Sequence, residues 1–543
     1  MSNKAKKNKK RKEYEKRQAK RVERKRQKRK EKAYNPRRYL TRNQKEVAKR
    51  LIDGEVTMIS SAGWGFVERF LVFLNELGIF ELLEVDGARF YRKMINVGLF
   101  IITYEIKILL GIASMNQVTE RLFKDVALMR LMGYTADQLA SGFCKRGYED
   151  SPKPMHKNTL SDAMEKLKAE ELEQIFNGAI QILVRRGVFL ESQGVFALDS
   201  SDLPTTARYE GAGRRTKMRK KRDRKGQLVE IPETTYGFKL FAVYEMERRL
   251  VVAVKVTPIN PHDSNFTLDL VRQAEANLGP GILQVLLVDR GFLDGESLWP
   301  LKDEMKIDFI VPAKSDMKVA KDARALAKKP HDGAYIFVAE RAGDEKQRGQ
   351  VALRGLKGLL TYNQYGDAEH QTQINRDDFT PNPINVLLIQ SWHGHVHEPG
   401  KEKAWLTSLS IEDPLFIYDL YDLRSLIENC LFRELKQGWN LLAFPKKTAD
   451  AVRAHVYLTV LVFNLTNLYR THLGQDIAEL GVRRQRLAWE DANKIFVFAG
   501  DYYAIFDLEE LLILLGREPE ICWRVDPAQV RRTYGLPPLE MAA

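Results

Sequence analysis

Five residues carry the chemistry open to this sequence. Tyr421, Arg424 and Glu428 stand at i, i+3 and i+7 in a segment with apolar residues at 423, 426, 427, 431 and 435. That spacing predicts a helix over 421–436, and at about 100° per residue the three share one face. A phenol, a guanidinium and a carboxylate on one face can hold a phosphate and a metal together. The same pattern also suits an amphipathic helix with a solvated charged face. Two further carboxylates, Asp199 and Asp289, end the apolar runs Val195–Leu198 and Leu283–Val288. Ligands of open α/β sheets meet the chain at such strand ends, although a single strand-end Asp commonly does no more than cap a turn. Three carboxylates brought together raise one another's pKa values unless a cation sits between them. Hard oxygen donors suit Mg²⁺ or Mn²⁺, and two such ions are a recurrent means of cleaving or joining phosphodiesters. Asp202 competes locally for the role of Asp199, and the strand-end position favours Asp199.

The elements that must position these residues form an α/β core. Strands at 195–198, 236–244 and 250–256 precede a helix at 263–278, a strand at 283–288, a helix near 294–305 and a strand at 308–312, an order that suggests a mixed sheet. The core's first part covers 188–316 and its second part 411–475. Between them, 317–410 reads as a β-rich insertion, with strands at 334–338, 350–354, 384–390 and 403–409. Its His393, His395 and His397 alternate as zinc ligands can, but the Glu398-Pro-Gly that follows suits a hairpin turn equally. An apolar helix at 452–470 should pack on the core. The segment 476–543 carries no functional reading.

Residues 43–187 read as an all-α domain and a candidate DNA-binding domain. Thr135-Ala-Asp-Gln opens one helix, and Asn158-Thr-Leu-Ser-Asp162 opens another with a capping pattern. The pair suits a helix-turn-helix, but the connection exceeds the usual three or four residues, and a purely structural helical domain fits as well.

The chain has 543 residues, 44% of them hydrophobic, enough for two to four domains. Its net charge of +15 is concentrated at the start. Residues 1–50 hold 24 Lys and Arg against 5 Asp and Glu, so +19 lies there and the remainder sums to −4. The tail, 1–42, is too polar to bury a core and is expected to be disordered; its partner is a polyanion, nucleic acid first. A second basic segment, 214–225, includes Arg214, Arg215, Lys217, Arg219, Lys220 and Lys221. It can lie along DNA or form a solvated mobile loop. Cys144, Cys430 and Cys522 have no metal spacing and suggest a reducing compartment. No apolar run follows the basic start as in a signal peptide. The runs at 93–116 and 452–470 are broken by Glu105, Lys107, Arg453, His455, Asn464 and Asn467, so they read as buried helices and no membrane span is expected. The location expected is cytoplasmic.

These residues resemble the DDE class of insertion-sequence transposases, whose catalytic domain is RNase H-like. Asp199 in Phe-Ala-Leu-Asp-Ser-Ser resembles the first motif of the class and Asp289 in Leu-Val-Asp-Arg-Gly-Phe the second. The segment 421–436 resembles the Y-x2-R-x3-E-x6-K signature of one branch, which also carries a β-rich insertion before its Glu. The resemblance covers roughly 190–475. It departs at the last position, where six intervening residues reach Leu435 and the lysine is Lys436. On a regular helix Lys436 points about 80° away from Glu428. Either its side chain swings back or a one-residue π-bulge restores the face. Some relatives stack a strand Trp on a flipped base, and Trp405 is the candidate, with a place in the insertion's core as the alternative.

The resemblance implies that Asp199, Asp289 and Glu428 ligate two Mg²⁺ or Mn²⁺ ions for hydrolysis at transposon ends, and that the freed 3′-OH attacks target DNA. It implies that Tyr421, Arg424 and Lys436 grip flanking phosphates, Arg424 bidentately. It implies transposon-end and target DNA as partners, a homodimer when two ends are synapsed, and association with the nucleoid. Two other outcomes remain open: an RNase H-like nuclease without strand transfer, and a catalytically silent DNA-binding descendant.

Overall fold

The computed structural model describes residues 34–36, 40–62, 64, 66–84, 95–142, 155–222, 228–327, 336–339, 350–392, 399–473, 494–516 and 526–535. Most of the basic tail, His393, His395 and His397, Cys144 and Cys522, and residues 143–154 between the two capped helices lie outside them. In chain order the strands are β1 (Thr41–Arg42), β2 (Met58–Ala62), β3 (Val195–Thr205), β4 (Gly213–Arg222), β5 (Leu228–Glu245), β6 (Leu250–Pro258) and β7 (Val285–Val288). They continue as β8 (Asp308–Pro312), β9 (Ile336–Ala339), β10 (Gln350–Leu359), β11 (Ile384–Trp392), β12 (Pro399–Thr407), β13 (Lys494–Ala499) and β14 (Tyr502–Phe506). The chain forms two compact units, 172–472 and 1–171 with 473–543.

The unit 172–472 is built on one mixed sheet. β3 is its central strand, buried on both faces over Val195–Leu198 as a continuous apolar run requires. It pairs antiparallel with β5 and parallel with β7, and β7 pairs parallel with β8. β5 turns back into antiparallel β6. Parallel neighbours need crossovers, supplied by the helices Thr267–Leu278 and Gly295–Asp303. Three antiparallel strands followed by two parallel ones make the RNase H-like mixed α/β core that the resemblance implies.

The β-rich insertion does not stand apart from this sheet. β12 pairs antiparallel with β8 through Trp405 opposite Pro312, and β11, β10 and β9 follow outward, giving a ten-stranded sheet. The apolar helix expected near 452–470 is Ala449–Leu473, and it packs as expected. Buried Val452, Val456, Leu461, Val462, Phe463 and Leu465 contribute about 1.5–3 kcal/mol each relative to exposure. The polar residues of this helix that argue against a membrane span have partners. Asn464 bonds both Val251 N (2.9 Å) and Val251 O (2.7 Å), covering the edge of β6. Tyr457 donates to Val254 O at 3.3 Å, and His455 Nε2 meets Asn440 O at 3.1 Å. Among the described residues no helix is long and apolar enough to cross a membrane.

The unit formed by 1–171 and 473–543 is mostly helical, as expected for 43–187, with one difference. A four-stranded sheet, in the order β1-β14-β13-β2, joins both ends of the chain. Val47, Leu51, Val497, Phe506 and Leu514 share its core, and Tyr503 donates to buried Glu68 at 2.6 Å. The helix Ala136–Ser141 opens on a capping box between Thr135 and Gln138, as the sequence predicts. The next helix, Lys157–Lys166, is capped by His156, whose ring accepts Asn158 N at 3.2 Å. Asn158 therefore lies inside the helix that its residue type suggests it would cap.

Candidate active site

The two strand-end aspartates are brought level by sheet register. β3 and β7 run parallel with Leu198 opposite Val288, so Asp199 and Asp289 are the next residues on neighbouring strands. Asp199 is buried, and its Oδ1 accepts Ser200 N at 2.7 Å. β3 continues past Asp199, whereas β7 stops at Val288 and Asp289 opens the short turn Arg290–Phe292.

The segment 421–436 is not one regular helix. Tyr421 lies near the end of the helix Pro414–Asp422, Glu428 in a π-helical stretch, Ile427–Phe432, and Lys436 in the α-helical turn Arg433–Gln437. A π turn absorbs one extra residue. It falls between Glu428 and Lys436, where the one-residue excess over the signature spacing arises.

Tyr421 donates to Val288 O at 3.1 Å and so holds the backbone just before Asp289. Its ring lies 4.3 Å from that of Trp405, which stacks on Tyr418 at 5.7 Å. Trp405 is buried against these two rings of the helix Pro414–Asp422. Arg424 spans two of the carboxylates: Nη1 lies 2.9 Å from Asp199 Oδ2 and Nη2 lies 2.9 Å from Glu428 Oε1.

The electrostatics follow from burial and crowding. Burial pushes the Asp199 carboxyl up to about 6; Arg424 and the Ser200 amide oppose that shift, while Asp289 and Glu428 reinforce it. Burial also raises the Tyr421 phenol, against Arg424. Burial alone would lower Arg424, yet Tyr421, Asp199 and Glu428 hold it above its ordinary value. Lys436 is lowered by burial, with Asp202 opposing. The charge that Lys436 senses is therefore Asp202, three residues beyond Asp199. Asp202 is itself paired with Arg215, through Nη1 at 3.2 Å and a second, shorter contact from Nη2.

Other residues complete the surroundings. Arg214, Arg215, Lys217, Lys220 and Lys221 all lie on β4, a strand where a loop was one expectation. Sequence reasoning missed Asp263 and Lys239. Ser200 Oγ donates to Asp263 Oδ2 at 3.0 Å, and the buried Lys239 ammonium pairs with Asp263 Oδ1. A Cβ on Gly291, in the turn after Asp289, would stand 3.3 Å from Asp263 Oδ2. Asp263 thus sits between the two segments that carry Asp199 and Asp289. The one sequence signal was a lysine within the apolar run Tyr236–Tyr244.

A family model described as the transposase DDE domain matches residues 191–465, half of the chain. The chain belongs to the DDE transposase family. No curated protein matches this transposase. Among solved structures it is similar to the piggyBac transposase synaptic complex with hairpin DNA, determined by cryo-electron microscopy. The identity is 9%, over 93% of this chain and 88% of that one, with a TM-score of 0.34. A likeness so distant carries no argument about the site.

DDE transposases generally use divalent metal ions. The donor chemistry fits such an ion, since the three residues offer only hard carboxylate oxygens. Asp289 and Glu428 add to the burial that raises the Asp199 carboxyl. Among the described residues, however, no group of three His, Cys, Asp or Glu side chains is gathered as a metal site. The guanidinium of Arg424 bridges Asp199 and Glu428 instead.

Proposed function

We propose that this transposase cuts phosphodiesters at the two ends of a DNA element and joins the freed 3′-OH groups to target DNA. The observation that carries the reading is that Arg424 bridges Asp199, on β3, and Glu428, while Asp289 follows the parallel strand β7 at the same level as Asp199. Its shared electrostatics support it: Asp289 and Glu428 both raise the Asp199 carboxyl, and Asp199, Asp289 and Glu428 all bear on Arg424. Held by Asp199, Asp289 and Glu428, two Mg²⁺ or Mn²⁺ ions would supply Lewis acidity for hydrolysis and for the chemically equivalent transesterification. The chain's own residues position the DNA. Arg424 leaves the carboxylates and takes a phosphate bidentately, as its planar fork suits. Tyr421 fixes the backbone at Val288 and so the direction of Asp289. Lys436 adds a cation beside Asp202, where a flanking phosphate can replace the carboxylate as its partner. Synapsis of two ends requires two copies, so the active form is a homodimer on DNA, associated with the nucleoid in the cytoplasm.

The test is incubation of the full chain with supercoiled DNA carrying both element ends, in Mg²⁺ or Mn²⁺, beside Glu428→Gln. End-specific 3′-OH breaks and joined products, absent in the variant, are expected. Breaks without joining would make the chain a nuclease. Binding with neither would make it a silent DNA-binding protein.

A further inference from the structure

β4 and β5 leave the core sheet together. The last residue of β3 paired to β5 is Thr205, opposite Tyr236. Beyond it, Arg215–Arg222 and Leu228–Thr235 form eight cross-strand pairs, with no third strand among the described residues. At about 3.3 Å per residue this ribbon reaches roughly 26 Å. A lone two-stranded ribbon is marginal in water and needs a partner for its faces. Its root is tied to β3 by Arg215 on Asp202, three residues beyond Asp199. Gly213 and Gly237 face each other there. A Cβ on Gly213 would meet Asn260 Oδ1 at 2.2 Å, and one on Gly237 would meet Leu203 O at 2.3 Å.

The two faces of the ribbon differ. One carries Arg215, Lys217, Arg219, Ile231 and Glu233, with Arg219 Nε paired to Glu233 at 2.7 Å. The other has a neutral, exposed centre of Thr216, Met218, Pro232 and Thr234, in which the two threonine hydroxyls meet at 3.0 Å. Arg214 and Lys220 stand at its two ends, Lys220 only 3.8 Å from Glu230. Met218 is 60% exposed, unusual for a large apolar side chain. Residues 214–222 and 228–235 carry seven Lys and Arg against two Glu, so their charge complements a polyanion.

We propose that this ribbon enters the major groove of the DNA duplex presented to Asp199, Asp289 and Glu428. The inference rests on the DNA reading above and assigns a groove to it. A major groove about 12 Å wide admits a two-stranded ribbon, whereas a minor groove of about 6 Å does not. The Thr216–Met218–Pro232–Thr234 face lies on base edges, with hydroxyls for hydrogen bonds and Met218 for a thymine methyl. Arg214 and Lys220 reach the phosphates on either rim, and Lys217 faces the solvent side of the groove.

The experiment uses the full chain, a duplex of the element's end and an unrelated duplex, without metal. It reads dimethyl sulfate protection of guanine N7, a major-groove atom, and affinity as a function of salt. The wild type is expected to protect N7 positions within about half a helical turn. The Thr216→Ala/Met218→Ala/Thr234→Ala variant, altered only at exposed positions, loses that protection and about tenfold in affinity with an unchanged salt slope. Arg214→Ala/Lys220→Ala lowers the slope by about one to two. A loss confined to the end duplex assigns the ribbon to end recognition, and an equal loss on both assigns it to any duplex. Unchanged protection and affinity in the neutral-face variant overturn the ribbon assignment and leave the DNA reading intact. A wild type that binds neither duplex overturns both.

Discussion

Arg424 Nη1 lies 2.9 Å from Asp199 Oδ2, so a guanidinium covers the buried carboxylate of the site. With its other amino group on Glu428, it balances charge that a metal would otherwise balance. In the function proposed above, one side chain has two uses, as a counter-ion before DNA arrives and as a phosphate ligand afterwards.

Replacing it separates those uses. Arg424→Gln is expected to bind Mn²⁺ about tenfold more tightly in the absence of DNA, because no cation competes for Asp199. The same variant should lose at least about tenfold in DNA cleavage, the loss of a charge-assisted phosphate contact. Calorimetric titration and the cleavage assay check the two halves. Weaker metal binding in the variant would remove the competition argument.

The Asp199 carboxyl, raised to about 6, sets a pH limit. A metal needs the ionised form, so Mn²⁺ affinity should fall as pH drops below about 6, a higher limit than an ordinary Asp would set. In Arg424→Gln the fall should begin at higher pH, because the opposing guanidinium is gone. Mn²⁺ titrations from pH 5 to 8 read both.

Glu105 offers a stability test in the other unit. It is buried on the helix Val97–Leu109, neither carboxyl oxygen has a partner among the described residues, and burial raises it to about 8. The folded state thus binds this proton more tightly than the unfolded chain. That stability is full below the ordinary Glu pKa, declines as pH rises, and is lost once pH passes about 8. Glu105→Gln should remove the decline and stabilise the protein at pH 8 by a few kcal/mol. Thermal unfolding at pH 5 and pH 8 measures it; equal Tm changes at both would contradict it.

Asp263 and Lys239 should behave as a unit. Asp263→Asn leaves the buried Lys239 ammonium without its carboxylate and should cost about 3–5 kcal/mol, whereas Lys239→Met with Asp263→Asn should recover much of it. Denaturant unfolding of the single and double variants gives the coupling. Additive losses would show the pair to be independent.

The sequence made the two strand-end aspartates legible because their strands are continuous apolar runs, and a buried parallel strand looks like that in any context. The strand Asp308–Pro312 and the helix Ala449–Leu473 were legible for the same reason, a strong local pattern. The π turn at 427–432 entered only as one of two ways to absorb the extra residue before Lys436. Apolar spacing alone suggests one helix from 421 and does not reveal that Tyr421 ends a helix begun at Pro414. Asp263 was invisible because its partners, Ser200 and Lys239, are set by sheet register. The ribbon looked like a loop because runs of Lys and Arg have low β-propensity and no alternation. Pairings such as Trp405 with Pro312 and Thr41 with Tyr502 join segments far apart in sequence, and no local pattern encodes them.

The most direct test of the site is Mn²⁺ binding to the full chain and to Asp199→Asn, Asp289→Asn, Glu428→Gln and Asp202→Asn, followed by calorimetry at pH 7.5. Asp199, Asp289 and Glu428 acting together predict a loss of at least about tenfold in each of the first three variants, with Asp202→Asn close to the wild type. Wild-type affinity in any of those three, or an equal loss in Asp202→Asn, would contradict the assignment of the carboxylates.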